Sequence, residues 1–477
     1  MQNISDNIEY NIGHLDARLD TDKNFDIIFK RFSVGDRKAC IYCLNGFTRD
    51  EILQKILEYF ARVEPGEVPA DTDGFLKAMV PYADVTVVKT DDDMVTHLLM
   101  GMPSILVDGI DTCFSLDCRT YPARGVGEPE KEKVLRGSRD GFVETLVQNT
   151  ALIRRRIRDE NLRMEMYQVG SSSKTDVAIC YYKGRVDKEL LDRIRERIVS
   201  VEVDALVMNQ ESLAECIFPH KWYNPFPKFK YSERPDTTAA HLLEGNVIIM
   251  VDSSPSAMIL PSSIFDIIEE ADDYYFPPVT GTYLRLSRVI ISIAAMYLTP
   301  VWLFFVQRPD LLPESFSFII IHDDINIPII WQLLILEFAI DGLKLAALDT
   351  PSMLNTPLSI IAGLVVGEFT VESGWFNSPS MLYMAFVALS NYTQPSFELS
   401  YALKFVRIMM LILVALFGGW GLIAGFIISI LAIVTNKTIA GKSYIYPLIP
   451  FDLKEIKRRL FRTRIQHSIR HDRVKQS

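Results

Sequence analysis

HLLMGMPSILVD at residues 97–108 and HLLEGNVIIMVD at 241–252 are one pattern written twice, 144 residues apart. His97/His241, Leu98/Leu242, Leu99/Leu243, Gly101/Gly245, Ile105/Ile249, Val107/Val251 and Asp108/Asp252 recur in place. Upstream, ACIYCLNGFTRDEILQKILEYF (39–60) is matched by VAICYYKGRVDKELLDRIRERI (177–198), at an offset of 138. Each copy reads as an apolar strand, a glycine turn and an amphipathic helix, followed by a helix–Gly–strand–turn–strand element. The front of the chain is therefore expected to be an α/β region of two duplicated subdomains, 21–118 and 165–276. A polar N-terminal tail (1–20) precedes them and a helical bridge (119–164) joins them.

Charge divides the chain further. The 477 residues carry a net −10, made of −12 over residues 1–288, −6 over 289–436 and +8 over 437–477. An acidic front excludes nucleic acid as the main partner, because phosphate binding needs clustered cations. All six cysteines lie in that front part, which opens on the polar stretch MQNISDNIEYNIGHLD. A cytosolic region with reduced thiols is expected. Cys40 and Cys43 form a C-x-x-C pair inside an apolar strand, where residues three apart face opposite sides, so no metal site is expected.

Residues 277–436 read as an all-α, multi-pass transmembrane domain, ahead of a basic C-terminal tail (437–477). Val289–Val306 is uncharged for 18 residues, or about 27 Å of helix, with Pro300 inside it. Ile408–Val434 is uncharged for 27, with Gly421 and Gly425 spaced for close helix contact. Between these runs, Glu337, Asp341 and Lys344 fall on one helical face that cannot look at lipid. Two readings stand: an ion-paired stripe that fixes helix packing, or a water-lined ion path. LSIIAGLVVGE (358–368) is short, carries Gly363 and Gly367, and ends in a carboxylate, so it belongs in a protein-lined or water-lined cavity. The basic tail, with Arg285 and Arg288, places both chain ends in the cytoplasm. Spans at 289–306, 325–345, 378–395 and 406–434, plus a re-entrant element at 357–370, satisfy that parity.

Nothing in the sequence supports catalysis. The seven histidines are scattered, and GSSSKTD (170–176) lacks the spacing of a phosphate loop. The acidic pairs Glu269-Glu270 and Asp272-Asp273 precede YYFPP and read as an elbow before the first span. Arg136, Arg139, Arg154, Arg155, Arg156 and Arg158 crowd the bridge. They suit an anion site, pairing with nearby carboxylates, or packing between subunits.

Longer blocks carry a family resemblance. NPFPKFKYSERPDTTAAHLLEGNVIIMVDSSPSAMILPSS (224–263), EEADDYYFPPVTGTYLRLSR (269–288), EPEKEKVLRGSRDGFVETLVQNTALIRRRIRD (128–159) and SIIAGLVVGEFTVESGW (359–375) resemble the spore germination A-subunit family, the GerA-type proteins of endospore-forming bacteria. The resemblance runs over roughly residues 25–460. It implies a multi-pass protein of the spore inner membrane, without enzymatic activity or cofactor. It further implies a homo-oligomer, a pentamer in the family's expected pattern, around a path for monovalent cations. Such a protein would amplify ion release during germination, together with other germination membrane proteins and a small membrane partner. A nutrient-sensing receptor subunit and a non-conducting scaffold are the alternatives. Carried over by position, the path would be lined by Ile361, Gly363, Leu364, Val365, Gly367 and Glu368. Subunit contacts would be held by Arg136, Arg139, Glu144, Arg154, Arg156, Glu233, Arg234 and Asp236.

Overall fold

Strand Arg37–Leu44 is buried from Ala39 onward, whereas Ile27–Val34 is buried only at its ends, which separates a central strand from an edge strand. The computed structural model describes all residues except 1, 49, 80–83, 120–131, 135–136, 219–222, 322–324, 350–368, 442 and 463–477. The described residues of 1–219 and 229–261 form one compact unit, and those of 220–228 and 262–468 form another.

The first unit repeats one order of elements. The first copy is α1 (Ile8–Leu19), β1 (Ile27–Val34), β2 (Arg37–Leu44), α2 (Asp50–Phe60), α3 (Thr72–Met79), β3 (Val85–Val88), α4 (Asp91–Leu99), β4 (Ser104–Val107) and β5 (Cys113–Leu116). The second is α5 (Leu146–Arg156), β6 (Leu162–Val169), β7 (Thr175–Tyr182), α6 (Lys188–Val199), α7 (Asn209–Ile217), β8 (Lys230–Ser232), α8 (Pro235–Leu243), β9 (Val247–Val251) and β10 (Ala257–Leu260). The sheets run β1-β2-β4-β5-β3 and β6-β7-β9-β10-β8, the same order, with antiparallel neighbours throughout.

Equivalent side chains do equivalent work in the two copies. Asp108 accepts the first amide of α1 from Ile8 (3.1 Å), and Asp252 accepts that of α5 from Leu146 (3.0 Å). Each carboxylate satisfies an amide that a helix start leaves open. Asn11 braces Ser5 by donating to its carbonyl and accepting from its amide, and Asn149 does the same for Val143. Gly101 and Gly245 both hold φ near +95° (94° and 96°), a conformation that glycine adopts without steric cost. A Cβ there would come within 2.8 Å of the Phe47 ring or 2.5 Å of the Arg185 carbonyl.

The duplication thus begins earlier than residue 21. Residues 8–19 are not a polar tail: Asn7 caps α1 through Glu9 and Tyr10, and Ile8, Ile12, Leu15 and Leu19 are buried. Each such side chain contributes about 1.5–3 kcal/mol on burial. Cys40 and Cys43 sit on β2 as buried thiols. Among the described residues no cluster of His, Cys, Asp or Glu is placed to hold a metal.

The second unit is helical: α9 (Ile264–Ile268), α10 (Asp272–Tyr275), α11 (Pro278–Gln307), α12 (Ile329–Asp349), α13 (Phe369–Glu372), α14 (Ser378–Tyr392), α15 (Phe397–Phe417), α16 (Gly419–Val434) and α17 (Leu453–Leu460). Among the described residues, α11 and α15 are long and apolar enough to cross a membrane. The expected single span over 406–434 is corrected. The chain turns at Gly418, with φ +57°, and α16 folds back against α15. Only Gly421, Gly425 and Ser429 of α16 are buried, and a Cβ on Gly421 would meet the Leu413 carbonyl oxygen at 1.9 Å. Uniform hydropathy hid this turn, because both arms are apolar.

Candidate functional site: a buried charged seam

Ser396 caps the start of α15, its hydroxyl accepting from the Leu399 amide (3.3 Å). That start places Lys404 and Arg407, three residues apart, on a buried face within the helix rather than in front of a span. Arg407 has no exposed surface. Its Nε and Nη2 donate to the two carboxylate oxygens of Glu337 on α12, the second at 2.9 Å, and its Nη1 donates to the Ala295 carbonyl on α11 at 2.7 Å. Lys404 Nζ donates to the Glu337 carbonyl at 3.1 Å and pairs with Asp341. One guanidinium fork therefore ties three helices together, the geometry in which Arg is strongest.

The stripe read as Glu337, Asp341 and Lys344 stays together in the structure and faces α15. Its two carboxylates pair with Lys404 and Arg407, while Lys344 lies 5.5 Å from the ring centre of Tyr401 on α15 and 5.6 Å from that of Tyr392 on α14. Counting Lys404 and Arg407, the seam holds three cations and two anions. Both Glu337 oxygens are occupied, so the arrangement suits helix fastening better than proton transfer or cation passage. The sequence offered a signal for the partners: Lys404 and Arg407 share a helical face, and α12 carries carboxylates in need of cations. Nearby, Gln332 donates to Asn377 Oδ1 (2.6 Å) and accepts from its amide (3.0 Å), so the starts of α12 and α14 lie together.

The acidic run before α11 forms the expected elbow, and it also consumes Arg285 and Arg288. Arg285 pairs with Glu269 (2.6 Å); Arg288 pairs with Glu270 (2.6 Å) and with fully buried Asp273 (3.0 Å). These arginines entered the topology argument as free flanking charges, and they are neutralised. α10 and α11 meet closely enough that a Cβ on Gly281 would lie 2.3 Å from the Asp273 carbonyl oxygen.

Several residues expected at subunit contacts act inside the chain. Arg154, buried, pairs with Asp26 (2.9 Å) and donates to the carbonyls of Asp159 and Leu162, joining the two sheet copies. Arg234, buried, pairs with Asp236 (2.6 Å) and donates to the Ser138 carbonyl (3.0 Å). Both guanidiniums are buried within the chain and bonded to its own groups. Arg156 pairs with Asp140 (2.7 Å), Glu144 accepts the Ser253 amide through its carbonyl (2.7 Å), and the Glu233 carbonyl accepts the Phe142 amide (2.8 Å). Arg139 is exposed. Arg136 and the expected pore residues Ile361, Gly363, Leu364, Val365, Gly367 and Glu368 lie outside the described residues, as does the expected element at 357–370 up to residue 368.

The family model described as "Bacillus/Clostridium GerA spore germination protein" matches residues 14–474. The chain belongs to the GerA spore germination family. Within that family it is 40% identical to stage V sporulation protein AF of Bacillus subtilis (strain 168), over 92% of this chain and 89% of that protein. It is 25% identical to spore germination protein KA of the same organism, over 96% and 85%. It is also 26% identical to spore germination protein GerLA of Bacillus cereus, over 89% and 87%. Among solved structures, it is similar to the N-terminal domain of the A subunit of the Bacillus megaterium spore germinant receptor GerK3. That similarity is at 22% identity and TM-score 0.42, over 54% of this GerA-family chain and 96% of that one.

Proposed function

We propose that this chain is a membrane subunit of a germination ion-release assembly. In this reading it is an oligomeric channel for monovalent cations, lined from residues 358–368, in the spore inner membrane with both ends cytoplasmic. The observation that carries the reading is the Arg407–Glu337 clamp. A charged pair with both partners buried among apolar helices is costly to desolvate, and such intramembrane charges are kept where helices must hold a fixed arrangement. The clamp fixes α12 on one side of residues 350–368. On the other side, Gln332 holds Asn377, and Asn326 donates to the Gly374 carbonyl (3.0 Å). A segment with Gly363, Gly367 and a terminal Glu368 between two fixed anchors suits a gate, where apolar Leu364 and Val365 would close by dewetting and Glu368 would favour cations. The paired seam itself is read as frame, not path. Other germination membrane proteins, including a small one, would be its partners.

The test is ion flux from vesicles reconstituted with the full chain, alone and with the partner proteins. Val365→Ala is expected to raise flux, and Glu368→Gln to reduce the preference for cations over anions. Absence of flux in both preparations, with unchanged ion release from spores carrying either variant, would refute the channel.

A further inference from the structure

The stretch that leads into α17 shows water an unusual surface. Leu448, Ile449, Phe451, Leu453 and Phe461 are all exposed, Phe451 to 71%. Asp452 caps α17 by accepting from the Lys454 (3.0 Å) and Glu455 (3.2 Å) amides, which fixes the helix register. Leu453, Lys457 and Phe461 then follow at i, i+4 and i+8 on one exposed face, with Lys454 exposed beside them. The other face is anchored: Arg459 pairs with Asp266, and its carbonyl accepts from Arg285 (3.2 Å). The Arg462 amide donates to the Thr282 hydroxyl (3.1 Å).

That anchor sets the depth of the element. Thr282 lies seven residues before Val289, where the uncharged run of α11 begins, so α17 is fastened about 10 Å from that point along the helix. On the reading that α11 crosses a bilayer, this is the headgroup zone, where a helix with apolar and Lys side chains on one face is stable and a fully solvated one is not. The acidic groups do not oppose the fit, since Asp452 is spent on the cap and Glu455 faces Arg458 at 3.5 Å.

We propose that Leu448–Phe461 is an interfacial element that docks on an anionic bilayer surface, with Phe451, Leu453 and Phe461 inserted and Lys454 and Lys457 on lipid phosphates. The inference rests on the membrane reading of α11, and the test separates the two. Full-length protein lacking its exposed thiol (Cys216→Ser) is reconstituted in phosphatidylcholine vesicles with or without phosphatidylglycerol. A fluorophore is placed through Phe451→Cys or, in the span, Ile293→Cys. Headgroup-nitroxide lipid is expected to quench the label at 451 more strongly when phosphatidylglycerol is present. Lys454→Gln/Lys457→Gln is expected to lower the docked-to-undocked ratio about 25-fold, at about fivefold per cation. Both lysines are exposed, so folding is preserved. A label at 293 quenched by deep acyl nitroxide, with 451 open to aqueous quencher, overturns the docking alone. A label at 451 shielded from water but not quenched by lipid assigns the surface to a protein and also overturns it. If 293 is open to water, the membrane reading of α11 itself fails.

Discussion

Removing Arg407 should do more harm than removing the whole charged pair. Arg407→Leu deletes the cation that occupies both oxygens of Glu337, a residue 2% exposed, and leaves a carboxylate with Lys404 as its remaining cation at 3.8 Å. Breaking a buried pair from one side costs about 3–5 kcal/mol, whereas replacing both partners with apolar groups is often near neutral. Glu337→Leu with Arg407→Leu should therefore recover much of the loss, giving a coupling energy of about 2 kcal/mol or more in a double-mutant cycle. The Ala295 carbonyl loses a bond in both variants, so that contribution cancels from the comparison. The assay is equilibrium unfolding of the purified full chain in mixed detergent micelles, following the helical signal for the wild type, two singles and the double. If the double is as unstable as the sum of the singles, the clamp is not a coupled unit. If Arg407→Leu is tolerated within about 0.5 kcal/mol, Glu337 is hydrated and the seam is open to water after all.

Further outcomes follow from single contacts. Gly281→Ala should destabilise the helical unit by about 1–3 kcal/mol or more, because its Cβ would lie 2.3 Å from a backbone oxygen that a side-chain rotation cannot move; a thermal scan reads the loss. Burial raises the Glu165 carboxyl pKa, but bonds donated by Arg195 (2.9 Å), Tyr181 (2.7 Å) and Tyr167 (2.8 Å) outweigh it and hold it below its ordinary value. Its stabilisation is thus full above about pH 4.3 and lost as pH falls through the lowered folded value; Arg195→Gln should flatten that acid dependence in unfolding measured across the range. Maleimide should modify one thiol quickly in the native chain, Cys216, and the other five only after unfolding. Those five are buried, and burial pushes Cys40 and Cys113 up to about 12. Fast labelling of a second thiol would contradict the packing of the sheets.

The repeat was legible because strand and turn residues carry it: Gly101 with Gly245 and Asp108 with Asp252 hold the same places in both sheets. Its beginning was not, since Asn11 and Asn149 are single polar residues whose shared bracing role appears only once their loops are folded. Arg154 was conspicuous, but its partner Asp26 lies 128 residues away, a distance no spacing argument can bridge. The expected span over 406–434 hides the place of Lys404 and Arg407 for a different reason. An uninterrupted apolar run looks like one helix, which leaves Lys404 outside it and Arg407 at its edge. In fact the helix starts at Phe397 and the run breaks at Gly418, where the only visible sign was the Gly418-Gly419 pair.

The contacts of α12 also constrain how the chain is threaded. Gln332 meets Asn377 at one end and Lys344 faces Tyr392 toward the other, so α12 and α14 point the same way. Neighbouring helices that run parallel cannot be joined by a tight hairpin, so α12 and α14 are kept side by side by the side chains at their two ends rather than by a short connection.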